Sequence, residues 1–145
     1  MIKFVVSVIL LLSSFTAFAA SSLSEVAVAN ASRPADDKKA DANRHPRELL
    51  DFSKAKADDT VVDLMPGRGY FTRLFASVVG PKGHVIAYVP KEFENAPFKP
   101  VDAAKKAAEG LKNVEVKVTP LLTAPAENVS RLSLWSGDRC TSFRC

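Results

Sequence analysis

The stretch "VVDLMPGRGYFTRLF", residues 61–75, decides how this chain folds. β-Branched Val61 and Val62 lead into an acid, Asp63, and the chain then passes through Pro66, Gly67, Arg68 and Gly69. Beyond the glycines, Tyr70, Phe71, Leu74 and Phe75 recur at the spacing of one helix face. A strand therefore turns abruptly into a helix. Glycine at such a turn removes side-chain bulk and lets a ligand approach the backbone. Amides at the helix start can hold a negatively charged group. Asp63, at the carboxyl end of the strand, is placed to accept hydrogen bonds from a ligand amine or hydroxyl. Two glycines by themselves suit equally well a tight turn that only packs strand against helix.

Working outward, "HPRELLDF" at 45–52 has proline at a helix start and apolar residues at 49, 50 and 52, which predicts a short helix. Thr60 to Leu64 is apolar on both faces, like an inner strand of a parallel sheet. Gly80-Pro81-Lys82-Gly83 ends the helix that follows, and His84 to Val89 is a second inner strand. Asp102 is a candidate cap for a helix running to Glu109, closed by Gly110. From Asn113 to Thr119, Val114, Val116 and Val118 alternate with Glu115 and Lys117, the pattern of a strand at a sheet edge. Alternating helices and strands predict right-handed crossovers and an α/β parallel sheet.

The 145 residues, 47% apolar and 25% charged, bound this to one globular core. Met1-Ile2-Lys3, the apolar run Phe4–Phe18 and the small-x-small site Ala17-Phe18-Ala19 predict a signal peptide over 1–19. The run is short for an uncleaved anchor, which needs about 20 apolar residues. Losing Lys3 with the leader lowers the net charge from +4 to +3. Acids and bases are interspersed, so nothing in the pattern argues for nucleic acid or anionic lipid. Residues 20–43 are rich in Ala, Ser and Asp without an apolar period and are expected to be a linker or a frayed helix. His45 and His84 stand apart from each other and from both cysteines, so no metal pattern exists. Cys140 and Cys145 would close only a very short terminal loop, and a bridge there would add little to the fold.

Three stretches, "RHPRELLDF" (44–52), "VVDLMPGRGYFTRLFA" (61–76) and "GPKGHVIAYVP" (80–90), resemble the class I S-adenosylmethionine-dependent methyltransferases, most closely an exported bacterial group of predicted methyltransferases. The resemblance runs over roughly residues 33–128. It implies a Rossmann-like parallel sheet with flanking helices and a cofactor, S-adenosylmethionine, whose methionine half lies over the glycine turn. By that resemblance Asp63, Gly67 and Gly69 contact the cofactor. Arg44, His45 and Glu48 match a family segment with no role assigned. The chain also departs from the pattern. Met65 stands where the family has a glycine two residues after the acid, and Pro66 follows it. Val89 occupies the place of the acid that binds the ribose hydroxyls, leaving Glu92 as the nearest substitute. Thr119-Pro120 replaces an acid near the adenine.

The expected organisation is a signal peptide (1–19), a linker or frayed helix (20–43), the amino-terminal part of a Rossmann-like methyltransferase domain (44–128) and a divergent tail (129–145). "SRLSLWSGDRCTSFRC" breaks from the family after Val129, suggesting a reading-frame shift and an incomplete sheet of three to four strands; a genuine fourth strand at Arg131–Trp135 is the alternative. A sheet cut short would leave the first strand as an apolar edge open to a second copy of the chain. The functional expectation is a periplasmic methyltransferase, or its truncated cofactor-binding half, touching the membrane only through the signal peptide, with no nameable catalytic residue or methyl acceptor. The competing reading is a non-catalytic exported α/β module that binds a ligand or partner. A nicotinamide oxidoreductase ranks last, because the turn has no third glycine and the second strand no terminal acid.

Overall fold

The computed structural model describes residues 22–123, 129–136 and 139–144, with the backbone alone described from 131 onward. The signal peptide (1–19), residues 20–21, 124–128 and 137–138, and Cys145 lie outside the described residues. Five strands form one sheet: β1 (Thr60–Leu64), β2 (His84–Pro90), β3 (Val114–Thr119), β4 (Arg131–Ser136) and β5 (Arg139–Arg144), in the order β3-β2-β1-β4-β5. β1 is parallel to β2 and β4, and β2 is parallel to β3; β5 returns antiparallel against β4. The helices are α1 (Leu23–Ala29), α2 (Ala35–Arg44), α3 (Pro46–Ser53), α4 (Tyr70–Val79) and α5 (Pro100–Ala108), and a 3-10 turn spans Lys91–Phe93. This is an incomplete Rossmann-like α/β fold.

Alternation along β1 and β2 sorts the core into two faces. Val61 and Val85 face Leu74, Phe75, Val78 and Val79 of α4, with Ala27 and Leu50 completing that cluster. Val62, Ile86 and Tyr88 form a smaller cluster on the opposite face with Leu64 and Val129. β1 and β2 are therefore buried on both sides, as the unbroken apolar runs require. β3 lies at an edge, as its charged alternation predicts.

Three expectations are corrected by tertiary contacts. The first strand is not an open edge: β4 pairs with it from Val61↔Arg131 to Leu64↔Leu134, and Ser130 donates its amide to Thr60 O at 2.9 Å. A second copy adding to the sheet would meet β3 or β5 instead. The sheet thus has five strands, two of them supplied by the tail. Residues 22–43, expected as part of a linker or a frayed helix, hold α1, opened by a Ser22–Glu25 capping box, and most of α2, both docked on the core. Asp102 does not cap α5; Lys99 occupies the cap position, Pro100 begins the helix, and Asp102 sits in its first turn. No helix among the described residues is long and apolar enough to cross a membrane.

Candidate functional site

The glycine turn sits at the carboxyl end of β1, between β2 and β4. Strand order reverses there: the chain builds outward from β1 to β2 and β3, then returns to place β4 on the other side. Open α/β sheets bind ligands at that crevice.

Within the turn the backbone is left-handed three times, at Met65 (φ 55°), Gly67 (φ 55°) and Gly69 (φ 77°). The two glycines serve different ends. A Cβ built on Gly69 would collide with the Ala107 side chain of α5, so this glycine allows two helices to approach, and its amide is used internally, donating to Pro66 O at 2.8 Å. A Cβ on Gly67 would meet nothing within 4 Å. Gly67 faces open space, which is what a backbone contact to a ligand needs. Met65 holds its conformation with a non-glycine side chain, and its amide is tied to Tyr88 O at 2.8 Å. Left-handed backbone costs an L-residue about 1–2 kcal/mol, a strain that glycine would avoid.

Asp63 is 1% exposed. Sharing the face of Val61, its carboxylate lies beneath the first turn of α4 and accepts a 2.7 Å hydrogen bond from Thr72 Oγ1. Burial pushes this carboxyl up to about 6 from the ordinary 3.8, against the opposing hydrogen bonds from the Thr72 side chain and backbone. Asp63 thus binds the turn to the strand before it can serve any ligand.

A cavity of about 140 Å³ lies over the turn, lined by Arg44, Asp63, Met65, Pro66, Gly67, Arg68, Tyr70 and Phe71. Pockets that enclose a whole small molecule usually exceed about 300 Å³, so this one suits a single end of an elongated ligand. Of the sequence-predicted residues, Asp63 and Gly67 meet at this cavity. Gly69 packs against Ala107 beneath it. Glu92 does not line it: Glu92 sits in the 3-10 turn after β2 and accepts the Leu121 amide at 3.1 and 3.2 Å. The residues present therefore fit the amino-acid end of S-adenosylmethionine better than its ribose. His45 and His84 are exposed, beside Glu48 at 3.9 Å and Glu115 at 3.5 Å. No cluster of His, Cys, Asp and Glu that could hold a metal ion occurs among the described residues.

Sequence reasoning missed the wall that α2 builds. Arg33 grips Asp41 with two bonds, Nη2 to Oδ1 at 2.6 Å and Nη1 to Oδ2 at 3.0 Å, and Tyr70 Oη donates to the same Asp41 Oδ1 at 2.7 Å. Burial pushes the Asp41 carboxyl up, but the bonds from Arg33 and Tyr70 outweigh it and hold it below the usual aspartate range. The hydrogen bond that Arg33 donates to the Asp41 carboxylate in turn raises Arg33. One turn away, Arg73 pairs with Asp37 through Nε and Nη2 at 2.7 and 2.9 Å and reaches Arg68 O at 2.8 Å. The signal was available as acids at 37 and 41, one turn apart on a helix face, although Tyr70 and Arg73 lie 29 and 36 residues from the acids they bind.

No protein-family model matches the chain, and no curated protein matches it. Among solved structures, a SAM dependent methyltransferase from Aquifex aeolicus matches with 28% identity and a TM-score of 0.43, covering 59% of this chain and 46% of that one. The match therefore spans less than half of that structure.

Proposed function

We propose that the chain binds S-adenosylmethionine at the carboxyl end of β1, as the cofactor-binding part of a methyltransferase, with the methionine half over Pro66–Gly69. The observation that carries this reading is Gly67: left-handed, open where a side chain would project, and seated where the strand order reverses. The resemblance of residues 44–52, 61–76 and 80–90 to exported methyltransferases supports it, and with it the expectation of export to the periplasm.

The cofactor supplies an electrophilic methyl on a sulfonium. Bound over Pro66–Gly69, it would offer that methyl to the lone pair of an acceptor, with S-adenosylhomocysteine as the leaving group. This chain's own contribution is placement: Gly67 admits the ligand to the backbone, and Asp63 fixes the turn through Thr72. Holding reactants in line is worth several powers of ten in rate. Glu92 would serve the ribose by giving up its bond to the Leu121 amide.

Isothermal titration of the protein with S-adenosylmethionine tests the reading. Saturable heat that disappears in Gly67→Val, with folding retained, is expected. No heat at millimolar ligand rejects it.

A further inference from the structure

Gly67 and Gly69, both left-handed, flank Arg68 in the turn over which the cavity lies. Glycine loses more conformational freedom than other residues when it is ordered. A ligand that must first order such a turn binds more weakly than one that finds it already set. Arg73, one turn into α4, reaches back to this segment: its Nη2 donates at 2.8 Å to Arg68 O, the carbonyl between the two glycines. Gly69 makes room for that approach, since a Cβ there would stand 3.0 Å from Arg73 Nη1 as well as colliding with Ala107.

The same guanidinium is gripped from α2. Asp37 accepts from Nε at 2.7 Å and from Nη2 at 2.9 Å, and the Arg73 and Asp37 side chains are only 17% and 11% exposed. Nη2 carries two N–H groups, one for the Asp37 carboxylate and one for Arg68 O. A rigid planar fork can bridge a carboxylate and a carbonyl at once, whereas an ammonium on a flexible stem has no such fixed geometry. The peptide that Arg73 holds by its oxygen is held by its nitrogen too, because the Gly69 amide donates to Pro66 O at 2.8 Å. A peptide unit is planar, so fixing both ends fixes its orientation. Neither Arg73 nor Asp37 lines the cavity.

Resting on the function proposed above, we infer that Arg73 is a positioning residue for the ligand site: held by Asp37, it locks the Arg68–Gly69 peptide and so preorganises the turn for the amino-acid end of S-adenosylmethionine. Through Asp37, α2 acts on the turn from outside the cavity.

The test compares the wild-type protein with Arg73→Lys and Asp37→Asn. Each is titrated with S-adenosylmethionine and with 5′-methylthioadenosine, which has no amino-acid end, and each is followed without ligand by amide hydrogen exchange. Arg73→Lys keeps the charge and loses the fork. It should weaken S-adenosylmethionine about 10-fold and 5′-methylthioadenosine less than about 3-fold. Its Gly69 amide should exchange about 10-fold faster, while the Val85 amide, bonded to Asn113 O at 2.8 Å, keeps its wild-type rate. Asp37→Asn leaves Arg73 its bond to Arg68 O and should show the same pattern at smaller size. An unchanged Val85 amide marks an intact fold; where Arg73→Lys fails that check, Asp37→Asn decides. Equal loss for both ligands, no loss for S-adenosylmethionine, or an unchanged Gly69 amide overturns the inference while leaving the proposed function standing. A wild-type protein that binds neither ligand overturns both.

Discussion

Thr72 Oγ1 donates a 2.7 Å hydrogen bond to the Asp63 carboxylate, which ties the end of β1 to the first turn of α4 beneath the glycine turn. The bond joins residues nine positions apart across Pro66–Gly69. Its donor and acceptor are both buried, so neither finds water as a substitute.

Asp63 has a folded-state value of about 6 against 3.8 for the ordinary group. A carboxyl raised in this way favours the fold most below pH 3.8, and that contribution is lost as pH rises through about 6. Measured against Asp63→Asn, the wild-type protein should lose about 2–3 kcal/mol of relative stability between pH 4 and pH 7, and little more above that. Urea melts of both proteins across that range give the difference. A flat difference would place the carboxyl in a wetter or better-paired setting.

Asp41 has the opposite sign. Its lowered value means stability that is present above the ordinary aspartate range and lost as pH falls below it. Asp41→Asn leaves the buried Arg33 guanidinium without its counter-charge and should cost about 3 kcal/mol at pH 7. The penalty should shrink below pH 4, where the wild-type protein loses the same pair. Denaturant midpoints at pH 7 and pH 3 measure both.

The two glycines should separate by readout. Gly69→Ala forces a collision with Ala107 in addition to left-handed strain and should cost about 2–4 kcal/mol. Ala107→Gly in the same chain should recover part of that loss. Gly67→Ala meets open space and should cost only about 1–2 kcal/mol, the backbone term. Thermal melts of the two single variants and the double variant check the ranking.

Met65 adopts a left-handed backbone that glycine would adopt without strain. Comparing Met65→Gly with Met65→Ala removes the side chain in both and isolates the conformation. The glycine variant should be the more stable by about 1 kcal/mol, reversing the usual order of these two residues. Chemical denaturation of the pair suffices.

The strand-turn-helix at 60–79, the second strand and the charged edge strand were legible because each is written in a local period. Period-two and near-period-four patterns of apolar residues state which side chains share a face, and a face must be buried. Gly67 was legible for the same local reason. The sequence by itself thus determined an α/β sheet with a glycine turn at the end of its first strand.

Tertiary structure decided what the turn is made for. Gly69 and Gly67 read alike in sequence, and only Ala107, thirty-eight positions along from Gly69, gives one of them a packing role. Residues 20–43 lack an apolar period because α2 is held by Arg33, Asp37 and Asp41 through polar contacts to Tyr70 and Arg73. Likewise β4 found its place beside β1 through backbone pairing, which any side chains permit. Each of these joins residues far apart in the chain, and such contacts leave no local period to read.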